Sequence, residues 1–134
     1  MNLVSHGIDL VEITRIERMV GEHGERFLHR CFTPREVAYA DASPRKRIER
    51  LAGRFAAKEA ILKALGTGWR EGIAWRDMEI LPDTLGRPML TLSGEAAALA
   101  RRQGIGAWSI SITHTEALAM GSAIALSVQG DKVV

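Results

Sequence analysis

The stretch from Ser43-Pro44 to Gly66 constrains the fold more than any other part of the chain. Proline near its start and glycine beyond its end bracket a helix running to about Leu65. At 1.5 Å per residue that helix is roughly 33 Å long, enough to cross a small domain, so the rest of the chain must be built around it. At about 100° per residue, Ile48, Leu51, Ala52, Phe55 and Leu62 share one face, and Glu59 falls near its middle. A carboxylate there is costly to bury unless it is paired, protonated or bound to a metal. Lys63 follows one turn later at the edge of the same face. An exposed i,i+4 pair is the ordinary reading of that spacing, but the apolar neighbours favour a site.

The same helix concentrates charge. Overall, 18 Lys and Arg stand against 16 Asp and Glu, a net charge of +2 that implies no nucleic-acid partner. Between residues 45 and 63, however, Arg45, Lys46, Arg47, Arg50, Arg54, Lys58 and Lys63 face only Glu49 and Glu59. A solvated helix face is the bland account of such a run. Arg47, Arg54, Lys58 and Lys63 do not form one narrow stripe, so a polyanion gripped at several points is the sharper account. Neither a GxGxxG fingerprint nor a Walker A sequence names that polyanion.

Around this helix the pattern is α+β. Val4, Ile8 and Leu10 alternate with Ser5, Gly7 and Asp9, which predicts a first strand. Thr14 and Glu17 have capping-box spacing and predict a short helix ended by Gly21. Thr33-Pro34-Arg35-Glu36 is a stronger helix start, with Thr as N-cap, Pro at N1 and Glu at N3. Met78–Leu81 and Met89–Leu92 read as strands about a turn at Asp83–Pro88. Ser93 caps an Ala-rich helix ending at Gly104. Trp108–Thr113 and Leu118–Val128 alternate and predict an antiparallel hairpin. No linker divides the sequence, so residues 1–134 are read as a single domain.

Cys31 is the sole cysteine, which excludes an intrachain disulfide and a Cys-rich zinc site. The N-terminal MNLVSHGIDLVEI lacks a basic n-region and cleavage site, and the weakly polar run Ala117–Val128 is too short to span a bilayer. A soluble cytoplasmic protein with no membrane partner is the expectation.

Two further positions are chemically suggestive. Asp9 lies opposite the apolar face of the first strand, beside Gly7, which leaves room for a ligand. A surface carboxylate is the alternative. Asp9 and Glu59 near a basic cluster suit Mg²⁺, which takes one or two carboxylates, waters and substrate phosphates. Gly66-Thr67-Gly68 reads either as a C-cap and turn or as a close backbone approach to a phosphate or pantetheine arm. His114 either closes a core edge or donates to a phosphate.

Together, GIDLVEITRI at 7–16, FTPREV at 32–37, RLAGRFAAKEAILKALGTG at 50–68 and SISITHT at 109–115 resemble the holo-acyl-carrier-protein synthases. These are the short, trimer-forming group of 4′-phosphopantetheinyl transferases. The resemblance spans residue 4 to about 128. It rests on the combination of G-I-D with F-A-A-K-E-A and a Lys four residues after the Glu. It implies an antiparallel sheet packed with a long helix, in a homotrimer with sites at subunit interfaces. It also implies transfer of the 4′-phosphopantetheine arm of coenzyme A to a serine of apo acyl carrier protein, releasing adenosine 3′,5′-bisphosphate, in support of fatty acid biosynthesis.

Carried over by motif, Asp9 and Glu59 would hold Mg²⁺ with the diphosphate oxygens. Lys63 would contact the phosphate under attack. Arg54, Lys58, Lys63, Gly66, Thr67, Gly68, His114 and Thr115 would bind coenzyme A. Arg15, Arg18, Met19, Arg26 and Phe27 would meet the acidic recognition helix of the carrier protein. The serine proton would go to Glu59 directly or to a water. Some relatives carry an acidic residue shortly after the FT–E motif, where this chain has Ala38. A different coenzyme A- or nucleotide-using transferase is the enzyme alternative, and need not retain both Asp9 and Glu59. An RNA-binding domain would explain the basic helix, but it calls for an exposed aromatic platform, and only 5% of residues are aromatic.

Overall fold

Small residues decide where the helix meets the sheet. The computed structural model describes residues 1–68 and 72–128, so the expected unit of 1–134 extends past the described residues. Strand β1 (Asn2–Glu12) leads into helices α1 (Ile13–His23), α2 (Glu25–Cys31) and α3 (Pro34–Asp41). Helix α4 (Arg47–Leu65) follows, then the hairpin β2 (Met78–Pro82) and β3 (Pro88–Leu92). Helix α5 (Gly94–Arg102) and the hairpin β4 (Ala107–His114) and β5 (Leu118–Ser127) complete the order. The main sheet is antiparallel in the order β1-β5-β4, and β2-β3 form a second, two-stranded sheet.

Helix α4 crosses the main sheet diagonally. Gly53 lies against Ile112 of β4, Ala56 and Ala57 against Gly121 of β5, and Ala60 and Ala64 against Gly7 of β1. A Cβ on Gly7 would sit 1.9 Å from the Ala60 carbonyl oxygen, and one on Gly121 would sit 2.4 Å from the Ala57 nitrogen. The helix backbone therefore fills the space beside Gly7, which is not room for a ligand. Ser5 Oγ donates to the Ala64 carbonyl at 2.7 Å and adds a polar pin to this seam.

This packing reverses two expectations. The Ser5, Gly7, Asp9 side of β1 faces α4, while the apolar Ile8 and Leu10 point outward at 49% and 57% exposure. On β5, where the Gly- and Ala-rich Leu118–Val128 strand suggests close packing against a partner subunit, the Ala119, Gly121, Ala123 and Ala125 side is buried beneath α4 of the same chain. Steric bulk explains both: only the small-residue sides allow helix and sheet backbones so near.

The helix is buried on nearly all sides because the sheet covers one flank and two core clusters cover the others. One cluster joins Ile61, Leu62 and Leu65 to Met78, Ile80 and Leu99. The other joins Leu51 and Phe55 to Ile16, Phe27 and Phe32. A single apolar face is thus an incomplete description of α4.

Three boundaries differ from the sequence pattern. Pro44–Lys46 form a 3-10 turn and α4 begins at Arg47, because Lys46 (φ −103°, ψ 5°) leaves helical geometry. Helix α1 begins at Ile13, whose N–H donates to the Ala117 carbonyl, so a tertiary contact rather than Thr14 sets its start. It continues through Gly21 and ends at Gly24, which takes φ +51° and donates to the Val20 carbonyl. By contrast, the capping box at Thr33 and Glu36 forms as the spacing predicts. Among the described residues, no helix is long and apolar enough to cross a membrane.

Candidate active site

The site candidates lie where the edge strand β1 passes the C-terminal half of α4. Lys63 projects from the last turn of the helix and donates to Asp9 Oδ1 and to the Ile8 carbonyl, each at 3.0 Å. Asp9 is 19% exposed and Lys63 56%, so this ion pair is open to solvent on the lysine side. Glu59 lies one turn before Lys63 and is half-buried. The fold thus brings Asp9 to the helix at Lys63, one turn beyond Glu59.

Beside this corner opens a cavity of about 790 Å³ between α1, α2, α4 and the segment entering β2. Glu59 lines it. Arg15, Arg26 and Arg30 supply positive charge and His23 an imidazole, while Met19, Phe55, Ile73 and Trp75 supply apolar wall. Phe55 stacks on Trp75 with ring centroids 4.7 Å apart, and the Arg15 guanidinium lies 5.6 Å from the Phe55 centroid. A carboxylate thus borders an apolar hollow ringed by cations. Such a surface suits an acidic partner that also buries apolar side chains. Arg18 is exposed but does not line the cavity. Phe27 lines it yet is only 5% exposed, its ring edge-on to Phe32, so its area belongs chiefly to the core and not to a docking surface.

The basic run of α4 is largely consumed internally. Lys58 is fully buried and donates to Glu36 Oε1 at 2.6 Å, the Cys31 carbonyl at 2.8 Å and the Trp75 carbonyl at 3.3 Å. All three ammonium hydrogens have acceptors, so Lys58 does not present charge to a phosphate, contrary to the sequence expectation. Burial lowers its pKa against the opposing pull of Glu36. Arg54 is 6% exposed, with Nε donating to the Ile80 carbonyl and its guanidinium 4.5 Å from the Tyr39 ring centroid. Burial lowers its pKa too, with Tyr39 pulling the other way. It is held between α3 and β2, away from the Asp9–Lys63 corner. Arg47 pairs with Asp41, and Arg50 donates to the Tyr39 carbonyl. These neighbours come from α3, whose approach to α4 no local pattern in the sequence reveals.

The remaining coenzyme A candidates fall at two ends of α4. Gly66 is its left-handed C-cap (φ +83°), Thr67 is half-buried and Gly68 is exposed with φ +62°. His114 sits near the other end, its Nε2 3.0 Å from Glu49 Oε2. The Thr115 hydroxyl accepts from the Ala117 and Leu118 N–H groups and so shapes the β4–β5 turn. Glu49 and Lys63 are separated by roughly 21 Å of helix axis. Within one chain, therefore, His114 and the Asp9–Lys63 corner are not brought together.

Among the described residues, no three His, Cys, Asp or Glu side chains gather into a group able to hold a metal ion. A two-carboxylate arrangement remains compatible with Mg²⁺, which completes its shell with waters and substrate oxygens. Sequence reasoning missed Arg30 and His23 on the cavity wall and gave Glu36 only a capping role. The pattern around Glu36 accounts for its bond to Thr33 but carries no sign of its bond to Lys58.

Comparison with known proteins gives a consistent result. The model of a family described as "4′-phosphopantetheinyl transferase superfamily" matches residues 5–119. A holo-[acyl-carrier-protein] synthase of Solibacter usitatus is 46% identical over 122 residues, covering 91% of this chain and 97% of that protein. One from Solidesulfovibrio magneticus is 50% identical over 109 residues, covering 81% and 86%. The crystal structure of the Neisseria meningitidis synthase superposes with TM-score 0.85 at 33% identity, covering 93% of this chain and 99% of that one. The Helicobacter pylori synthase, solved in complex with coenzyme A, gives TM-score 0.79 at 31% identity, with 90% and 99% covered.

Proposed function

Because the chain belongs to the 4′-phosphopantetheinyl transferase superfamily, as a holo-acyl-carrier-protein synthase, we propose that its Asp9–Glu59–Lys63 corner carries out the transfer. The enzyme moves the 4′-phosphopantetheine group of coenzyme A to a serine of apo acyl carrier protein. The serine oxygen forms a new bond to phosphorus, the bridging oxygen leaves with adenosine 3′,5′-bisphosphate, and the serine proton passes to a base. The observation that carries the assignment is the meeting of Asp9 with Lys63 one turn from Glu59, which itself lines the cation-ringed cavity.

Attack on a diphosphate calls for charge neutralisation more than for a strong nucleophile. Asp9 and Glu59 have the donor chemistry to hold Mg²⁺ together with diphosphate oxygens; the ion, when bound, polarises the phosphoryl group and steadies the leaving oxygen. Lys63, long and half exposed, can turn from Asp9 to the phosphate and supply fixed positive charge. Glu59 accepts the serine proton directly or through a water. Arg15 and Arg26 steer the acidic carrier protein, and Met19 gives it an apolar contact.

The chain acts as one domain in a homotrimer. Support comes from the outward face of the main sheet, where Ile8 and Leu10 adjoin half-buried Met120 and Ile124. Exposed apolar side chains on one sheet face, with the His6–Ser122 hydrogen bond among them, call for a partner. The axial separation of His114 from Lys63 fits a coenzyme A site completed by a neighbouring copy. The deciding experiment incubates the protein with apo acyl carrier protein, coenzyme A and Mg²⁺ and follows carrier mass, with and without EDTA. A phosphopantetheine adduct that disappears on chelation is expected. A competent carrier that gains no mass would defeat the functional reading, and an adduct indifferent to EDTA would defeat the metal assignment.

A further inference from the structure

Lys58 precedes Glu59 in the chain but serves a different neighbourhood, about 100° around the helix. Its ammonium holds Glu36, the Cys31 carbonyl at the end of α2 and the Trp75 carbonyl in the turn before β2. Glu36 extends the tie. Its Oε1 also accepts from the Thr33 N–H at 2.9 Å, and its Oε2 accepts from the Ile80 N–H at 2.8 Å. One buried ion pair therefore joins α4 to α2, α3, β2 and the Trp75 turn. Two of its anchor points, Cys31 and Trp75, line the same cavity as Glu59.

Stability alone does not account for this choice of residues. Well-packed apolar side chains of similar volume commonly replace a buried ion pair without loss of stability. What the pair adds is direction, since hydrogen bonds to two chosen carbonyls fix where two walls stand relative to the helix. Apolar contacts are not directional and leave such walls free to slide.

We propose that Lys58 and Glu36 are positioning residues that hold the α2 end and the Trp75 turn at a set distance from Glu59, shaping the cavity for the carrier protein while remaining dispensable to the fold. This rests on reading the cavity as the carrier-protein side of the transferase.

The test uses the neutral double variants Lys58→Met/Glu36→Gln and Lys58→Gln/Glu36→Gln, assayed with apo acyl carrier protein and coenzyme A. Both proteins carry 5-fluorotryptophan, with the Trp75 resonance identified by Trp75→Phe. At least one variant should fold, with a shifted or broadened Trp75 signal. Its KM for the carrier protein should rise about tenfold or more, as expected for misplaced walls, while its KM for coenzyme A stays within about twofold. A merely structural pair would instead lower activity in proportion to the unfolded fraction, leaving both KM values alone. An unchanged carrier KM in a folded variant, or equal changes in both KM values, would overturn the proposal. So would an unmoved Trp75 signal or loss of folding in both variants. Wild type run alongside separates the two claims: no adduct there counts against the transferase reading, not against the tie.

Discussion

Helix α4 carries two lysine–carboxylate pairs five residues apart, and they have opposite fates. Lys58–Glu36 is sealed, with neither side chain exposed, and its hydrogen bonds are spent on four surrounding elements. Lys63–Asp9 is open at the lysine and lies on the sheet edge beside the cavity. The chemistry of the side chains is the same; the packing around them differs. Lys58 looks inward to α2 and α3, whereas Lys63 leaves the helix where only the edge strand covers it. A charge enclosed by acceptors becomes a structural joint. One left half solvated stays available to a phosphate.

The contrast is easiest to break by removing each lysine in turn. Lys58→Met alone leaves Glu36 buried without its counter-charge and should destabilise the protein by about 3–5 kcal/mol. Lys63→Met should cost about 1 kcal/mol or less, as exposed pairs do. Urea unfolding of the two variants measures the difference, and equal losses would erase the distinction. Next in size, Glu59→Gln should lower turnover on the order of 10²–10³-fold with the unfolding midpoint preserved. Full activity in that variant would remove Glu59 from the reacting centre.

The sealed side can also be probed by pH. Burial raises the Cys31 thiol from 9.0 to about 11, so the folded protein keeps that proton after the unfolded chain has lost it. The resulting stabilisation is complete below pH 9.0 and is lost as pH rises toward about 11, with a slope of up to about 1.4 kcal/mol per pH unit. Lys58 works in the opposite sense, since its lowered pKa makes the unfolded chain bind more protons as pH approaches 10.5. The Cys31 contribution is therefore read as the difference between wild type and Cys31→Ala across that range. No difference would show the thiol to be as open as the Lys63 side. The smallest effect belongs to the cavity rim. Arg15→Glu should raise the carrier-protein KM about tenfold and leave the coenzyme A KM unchanged; an unchanged carrier KM would move the docking surface elsewhere.

Much of this was legible before any coordinates. The Thr33–Glu36 capping box, the β2–β3 and β4–β5 hairpins and the αL stop at Gly66 depend on neighbours in the chain and form as their patterns predict. The motifs also named Asp9 and Lys63, which the fold pairs at 3.0 Å, one helical turn from Glu59. Other readings failed because they depend on distant parts of the chain. Lys58 and Arg54 read as phosphate ligands by charge and by motif, and neither signal reveals the groups on α2, α3, β2 and the Trp75 turn that engage them. The start of α1 was misplaced for the same reason: Ala117, a hundred residues away, supplies its first acceptor.

The sequence by itself determined the family, most of the elements and the candidate side chains proposed for the reaction, because periodicity, caps and motifs are properties of adjacent residues; helix α2 carried no such signal. Which side of β1 and β5 the helix covers was decided only in three dimensions. Bulk at Ile8, Leu10, Met120 and Ile124 would hold the backbones apart, while Gly7 and Gly121 let α4 settle on the opposite side. That choice turned Asp9 toward Lys63 and left the apolar side of the sheet facing outward. It also decided which lysine of a single helix is sealed among acceptors and which stays open to solvent beside Asp9, because burial depends on what packs nearby and not on what is written beside it.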